Sequence, residues 1–147
     1  MKKQTASTKI SEVKRAWHLI DLKDKTLGRI ASNIAQLLIG KAKPYFVRNL
    51  DCGDFVVVIN AKYIKVTGNK EGKKTYYRYS GYPGGLTAET LGKLRVRKPE
   101  EIINHAVKGM LPQNKLRDKM LTRFFVFPES EHKYQDKFSS KGRSASG

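Results

Sequence analysis

The stretch Asp54-Phe-Val-Val-Val-Ile-Asn60 decides the fold. Phe55–Ile59 is uninterruptedly apolar and mostly β-branched, with no polar residue alternating through it. A strand with one solvated face would alternate, so this run predicts a strand covered on both faces, as in a largely parallel sheet. It is also the longest clear apolar run in the chain, far short of the ~20 residues of a membrane-spanning helix. Working outward, Ala16–Asp21 reads as a short apolar strand. Leu27–Ile39 places Leu27, Ile30, Ile34, Leu37 and Leu38 on one helical face, and Gly40 sits where a C-cap belongs. Tyr63–Thr67 and Lys74–Tyr79 are further strand candidates. Pro99 opens a helix as its first residue, with Glu100 and Glu101 in the first turn where the macrodipole favours acids. Its apolar face is Ile102, Ile103, Ala106, Val107 and Met110. A helix within Asn114–Leu121 and a strand Arg123–Phe127 follow. Strands alternating with helices around a strand buried on both faces predict an α/β fold, with helices on both sides of a small sheet.

The chain has 147 residues, enough for one domain with a self-sufficient core. No repeat or linker-like composition break divides it. The expected organisation is a flexible basic arm over 1–15, a single α/β domain over 16–138, and a disordered polar tail over 139–147. One cysteine, Cys52, rules out a disulfide framework and a cysteine-built zinc site, and fits a reducing compartment. No apolar stretch precedes Trp17, so a secretory leader is not expected, and a cytoplasmic location is expected with an organellar one left open.

Thirty Lys and Arg against thirteen Asp and Glu give a formal net charge of +17, which calls for a polyanionic partner. Membrane-surface binders gather cations on one amphipathic face. Here the excess is spread along the chain: residues 40–80 alone hold nine cations against three acids, and residues 105–125 five against one. An extended phosphate surface meets scattered cations at once, which favours nucleic acid over a membrane.

The strongest candidate contacts are Lys70, Lys73, Lys74 and Arg78, interleaved with Tyr76, Tyr77, Tyr79 and Tyr82. Cations meet phosphates there while tyrosines stack on bases or bond ribose. A strand with alternate tyrosines in the core explains the same pattern, and both readings fit if one face is buried. Lys93, Arg95, Arg97 and Lys98 form a second cluster, in a stretch readable as helix or loop. Lys108, Lys115, Arg117, Lys119 and Arg123 form a third. Arg29, and Lys41, Lys43 and Arg48 just after the first helix, complete the set. Gly81-Tyr-Pro-Gly-Gly-Leu86 offers a backbone that phosphate can approach closely, with Gly84 and Gly85 at the contact. It lacks the Gly-Lys-Ser/Thr ending of an NTP loop, so an RNA-backbone loop or an ordinary turn remains. Asp51-Cys-Gly-Asp54 reads as turn chemistry at the entrance to the buried strand, since no further ligands converge for a metal and no base is paired with Cys52. His18, His105 and His132 show no i, i+4 pair and read as structural or solvated.

Taken in order, Trp17-His-Leu-Ile-Asp21, Leu27-Gly-Arg-Ile-Ala31, Asp51-Cys-Gly-Asp54, Val56-Val-Val-Ile-Asn-Ala61, Thr67-Gly68, Ser80-Gly-Tyr-Pro-Gly-Gly-Leu86 and Val107-Lys-Gly-Met-Leu-Pro112 resemble the thirteenth-protein family of the large ribosomal subunit, in its bacterial or organellar form. The resemblance covers about residues 14–135. It implies a three-layer α/β/α domain around a small, mainly parallel sheet of about four strands. It also implies direct binding to large-subunit ribosomal RNA, contact with neighbouring large-subunit proteins, and an early assembly role without enzymatic activity, cofactor, metal or small-molecule substrate. Two other classes are set against it. A nucleic-acid-binding regulator acting on mRNA or DNA would want cations near the start of a recognition helix, where the Pro99 helix has two glutamates. A nucleotide-dependent enzyme using Gly81–Gly85, with Cys52 or His105 as catalyst, would need a paired base or metal constellation.

Overall fold

The computed structural model describes residues 7–139. The expected arm's first six residues and tail residues 140–147 lie outside that range. In chain order the elements are β1 (Trp17–Asp21), α1 (Leu27–Ile39), β2 (Phe55–Ile59), α2 (Lys70–Lys73), β3 (Thr75–Tyr79), β4 (Leu86–Thr90), α3 (Leu91–Arg97), α4 (Pro99–Met110), α5 (Leu116–Leu121), β5 (Phe124–Val126) and α6 (Gln135–Ser139).

The apolar run is the middle strand of a three-stranded parallel sheet ordered β1-β2-β5. Trp17 pairs with Phe55 and Ile20 with Val58 on one side, and Val57 pairs with Phe125 on the other. Because successive side chains point to opposite faces, Val56 and Val58 enter one layer and Val57 the other, yet all three are fully buried. Each such burial is worth roughly 1.5–3 kcal/mol. On one face, Val56 and Val58 meet Ile30, Ile34 and Leu38 of α1 and Ile103 and Val107 of α4. On the other, Trp17 stacks on Phe55 at 4.4 Å and 6°, and Phe125, Tyr134 and Phe138 close over the same indole. The C-terminal segment and α6 therefore form the second cover, and the fold is α/β with both sheet faces occupied.

Gly40 caps α1 in the left-handed conformation (φ +78°) and donates to the Gln36 carbonyl at 2.9 Å. A Cβ there would collide with the Cys52 carbonyl, so position 40 requires glycine both for φ and for space. Pro99 occupies the first position of α4, ahead of Glu100 and Glu101.

The sheet departs from expectation in size. The parallel sheet has three strands, and the other two, β3 and β4, pair antiparallel as a separate ribbon. Tyr63–Thr67 is not a strand. Asn60 adopts a left-handed φ of +60° and starts a 3-10 turn, which leads the chain out of the sheet. What remains is one isolated parallel bridge, Thr26 to Lys65, and Ile64 buried as an anchor. The Lys93–Lys98 stretch is helical, as α3. Leu91 and Leu94 of α3 pack with Ile102 of α4 into a second small core, which Leu27, Val66 and Tyr76 flank. Met110, expected in the core, is 43% exposed at the end of α4.

Candidate nucleic-acid interface

The cations of this chain divide by what surrounds them. One group is turned inward. Arg123 is 6% exposed, and its guanidinium grips the Asp51 carboxylate with both Nη atoms. It also donates to the carbonyls of Leu38 at 3.2 Å and Lys119 at 3.3 Å. Asp54, equally buried, accepts from the Ala16 N–H at 3.0 Å, His18 Nε2 at 2.8 Å and Lys43 Nζ at 2.5 Å. Lys43 donates further to the carbonyls of Lys14 at 2.6 Å and Cys52 at 2.7 Å. Arg15 reaches the carbonyls of Gly53 and Asp51. Burial works to raise the Asp54 pKa, but the bonds from Lys43, Ala16 and His18 outweigh it and hold the carboxyl below its usual range. The Asp51–Asp54 turn is thus the anchor of an ion network that fixes the entrance to β2. Buried Cys52 lies within it.

Three of the cations expected to meet phosphate have partners within the domain. Arg123 and Lys43 have their donors engaged inside the domain. Arg95 is a third: it pairs with Glu71 at 2.6 Å and donates to the carbonyls of Lys62 and Ile64, tying α3 to the turn after β2. Arg117 is half-buried. Arg97 and Lys98 are exposed but paired, Arg97 with Glu89 at 2.6 Å and Lys98 with Glu101 at 3.5 Å.

The second group faces solvent. Arg29, Lys41, Arg48, Lys70, Lys73, Lys74, Arg78, Lys93, Lys108, Lys115 and Lys119 are all exposed, and none forms an ion pair among the described residues. Lys70 and Lys73 lie on α2, Lys74 just after it and Arg78 on the ribbon strand β3, beside exposed tyrosines. By strand alternation Tyr77 and Tyr79 share the outer face, 70% and 66% exposed. Tyr76 faces the body and stacks on His105 at 5.2 Å between centroids. The expected split of this strand into a packed and an open face is present, with Tyr76 on the packed side.

The glycine-rich segment is the turn of the β3–β4 hairpin. Ser80 donates to the Gly85 carbonyl and Gly85 to the Tyr82 carbonyl, while Gly81 and Gly84 hold positive φ. It leads into a strand, not a helix, so it lacks the helix N-terminus on which an NTP loop depends. Tyr82 stands at its tip, 75% exposed.

Between the first turn of α1, the segment around α2, and α4 lies a cleft of about 840 Å³. Lys70, Lys73 and Lys74 edge it, and Leu27, Val66 and Met110 line it with the Tyr76–His105 pair. Thr26, Gly28, Asn69, His105 and Met110 were not among the contacts expected from charge. None of them is a lysine or arginine, and only the chain's path brings them beside the lysines.

The family model for ribosomal protein L13 matches residues 15–133. A large ribosomal subunit protein uL13 from Dehalococcoides mccartyi (strain BAV1) is 52% identical over 128 residues, covering 87% of this chain and 90% of the relative. One from Thermoanaerobacter sp. (strain X514) is 53% identical over 127 residues, covering 86% and 89%. Another from Cupriavidus metallidurans is 49% identical over 129 residues, covering 88% and 91%. All three are named as proteins of the large ribosomal subunit. With a match running from Arg15 of the ion network to beyond β5, this chain belongs to the ribosomal protein L13 family, in its bacterial type.

Proposed function

We propose that this chain, as a constituent of the cytoplasmic large ribosomal subunit, binds large-subunit ribosomal RNA directly and stabilises its folding early in assembly. The observation that carries the reading is the segregation of charge. The buried acids Asp51 and Asp54 are paired inside, and Asp24, Glu71, Glu89, Glu101 and Glu129 pair with other cations, while a set of lysines and arginines without an ion pair among the described residues covers α2, β3, the start of α1 and the α4–α5 region. Such a surface neutralises phosphates where RNA helices crowd together. Specificity comes mainly from shape and 2′-hydroxyls, because the A-form major groove is too deep and narrow for side chains to read. The rigid hairpin lays backbone and Tyr82 against the RNA, and neighbouring large-subunit proteins meet the surfaces the RNA leaves open.

The test is binding of the purified chain to large-subunit rRNA fragments and to unrelated RNA of equal length, across a salt series. A steep salt slope with one fragment preferred by roughly 10³-fold or more is expected. A steep slope without preference describes only a polycation and sinks the proposal.

A further inference from the structure

We infer that the cleft between α1, α2 and α4 seats one unstacked nucleotide: a nucleoside 5′-phosphate unit of the RNA, base inside and phosphate at the lysine edge. This deepens the RNA-binding reading and rests on it.

The cleft's composition is divided in a way that a phosphate site alone does not require. Lys70, Lys73 and Lys74 supply positive charge at the edge, and none of them has an acidic partner among the described residues. Behind them the lining is apolar and aromatic: Leu27, Val66, Met110 and the stacked pair Tyr76–His105. A purely solvated lysine face has no need of such a lining. At about 840 Å³ the space is of the size that holds small organic ligands, and no RNA helix could enter it.

Met110 makes the point locally. Ile103 and Val107, on the same helix, are fully buried, but Met110 is left 43% exposed at the cleft. Tyr76 and His105 lie 5.2 Å apart and 27° from parallel, with Lys74 Nζ 5.7 Å from the tyrosine centroid. An aromatic pair beside a cation offers both faces of recognition that a base with its phosphate presents. The backbone contributes too. Gly28 lies in the first turn of α1, where the N–H has no intrahelical acceptor, and a Cβ at that position would meet nothing within 4 Å. Bases become available in this way in loops, bulges and junctions, where removing one from its stack costs little.

The experiment is an NMR titration of the full chain with adenosine 5′-monophosphate, ribose 5-phosphate and inorganic phosphate, each at millimolar concentration. The amides of Gly28 and Asn69 and the ring protons of Tyr76 and His105 should shift saturably with the nucleotide. Ribose 5-phosphate should bind roughly tenfold more weakly, the loss expected when one stacked base is removed. His105→Ala, at an exposed position, should weaken the nucleotide and leave ribose 5-phosphate unchanged, whereas Lys73→Ala should weaken both. Equal affinity for all three ligands, or indifference of the nucleotide to His105→Ala, would overturn the inference and leave a cationic patch. Selective rRNA binding measured on the same preparation tells the two readings apart. If selectivity persists while the titration fails, only the seated nucleotide falls. If the nucleotide binds and rRNA selectivity is absent, the occupant is a free nucleotide and the RNA assignment falls.

Discussion

Arg123 and Lys73 are equally plausible phosphate contacts by charge and by neighbourhood in sequence, and the fold uses them in opposite ways. Around Arg123 the chain places a carboxylate and backbone carbonyls, so the guanidinium is saturated and dry. Around Lys73 it places solvent, two more lysines and a half-buried tyrosine. The difference teaches that in a chain of this charge the protein must first satisfy its own buried acids. Only cations left over from that task can serve a partner. A basic protein is thus built from an electrostatic interior and an electrostatic exterior that share residue types and nothing else.

The largest expected effect breaks that comparison outright. Arg123→Ala leaves the Asp51 carboxylate and the Leu38 carbonyl without their buried donor. Removing one partner of a buried ion pair costs about 3–5 kcal/mol, so the denaturation midpoint should collapse. Lys73→Ala combined with Arg78→Ala should leave stability within about 1 kcal/mol, as exposed substitutions do. Its effect should fall on rRNA binding, lowering both affinity and the salt slope, by roughly 0.7–0.9 per lost phosphate contact. Denaturant melts and salt-dependent binding on both variants check the pair. If the double variant melted early while Arg123→Ala bound RNA weakly but folded normally, the assignment of interior and exterior would be reversed.

A smaller effect tests the backbone that holds the interior together. Gly40 ends α1 at φ +78°, and a Cβ there would strike the Cys52 carbonyl within the same turn that Lys43 and Arg123 clamp. Gly40→Ala brings the left-handed penalty of about 1–2 kcal/mol together with displacement of that carbonyl. Gly28→Ala is the control on the exterior side, since its added methyl meets nothing. A thermal melt should therefore separate the two clearly, and equal melts would mean that the turn yields freely.

What could be read from the sequence follows the same line. Phe55–Ile59, the face of α1 and the Pro99 start of α4 were legible because each is a local pattern: an unbroken apolar run, a 3.6-residue period, a ring that fits one position. The hairpin's second strand was not. Leu86-Thr-Ala-Glu-Thr90 alternates over only four residues, with Ala88 and Glu89 poor strand formers, and three of its five residues are exposed. Tyr63–Thr67 looked like a strand because β-branched and aromatic residues sit together, but the left-handed Asn60 had already turned the chain away. The surface cations were recognisable as a class and not individually. Arg123 is 72 residues from Asp51 in sequence, so nothing local distinguishes it from Lys119. The cleft residues Gly28, His105 and Met110 belong to no Lys/Arg cluster, and converge from two helices. No signal short of the fold places them beside Lys70 and Lys73.

The smallest effect concerns the proton balance of the interior. Asp54 sits in a contest between burial, which favours the neutral acid, and donors from Lys43, Ala16 and His18, which favour the carboxylate and prevail. Its folded pKa is therefore below the unfolded value of 3.8. Between those two values the unfolded chain binds more protons than the folded one, so stability rises with pH across that window. The contribution is complete above the unfolded pKa and is lost as the pH falls through the folded one. Other depressed carboxylates, Asp21, Glu89 and Glu129, lie on the surface and titrate in the same region. The clean measurement is therefore a difference. Denaturation free energies of the wild type and of Asp54→Asn should be followed from neutral pH down to about pH 3. The variant starts lower, because Lys43 keeps its buried position without a counter-charge, and its acid limb is shallower than that of the wild type. Parallel acid limbs would mean that Asp54 binds its proton equally well folded and unfolded, and the interior network would then hold the turn by hydrogen bonding alone, without a charge-dependent share.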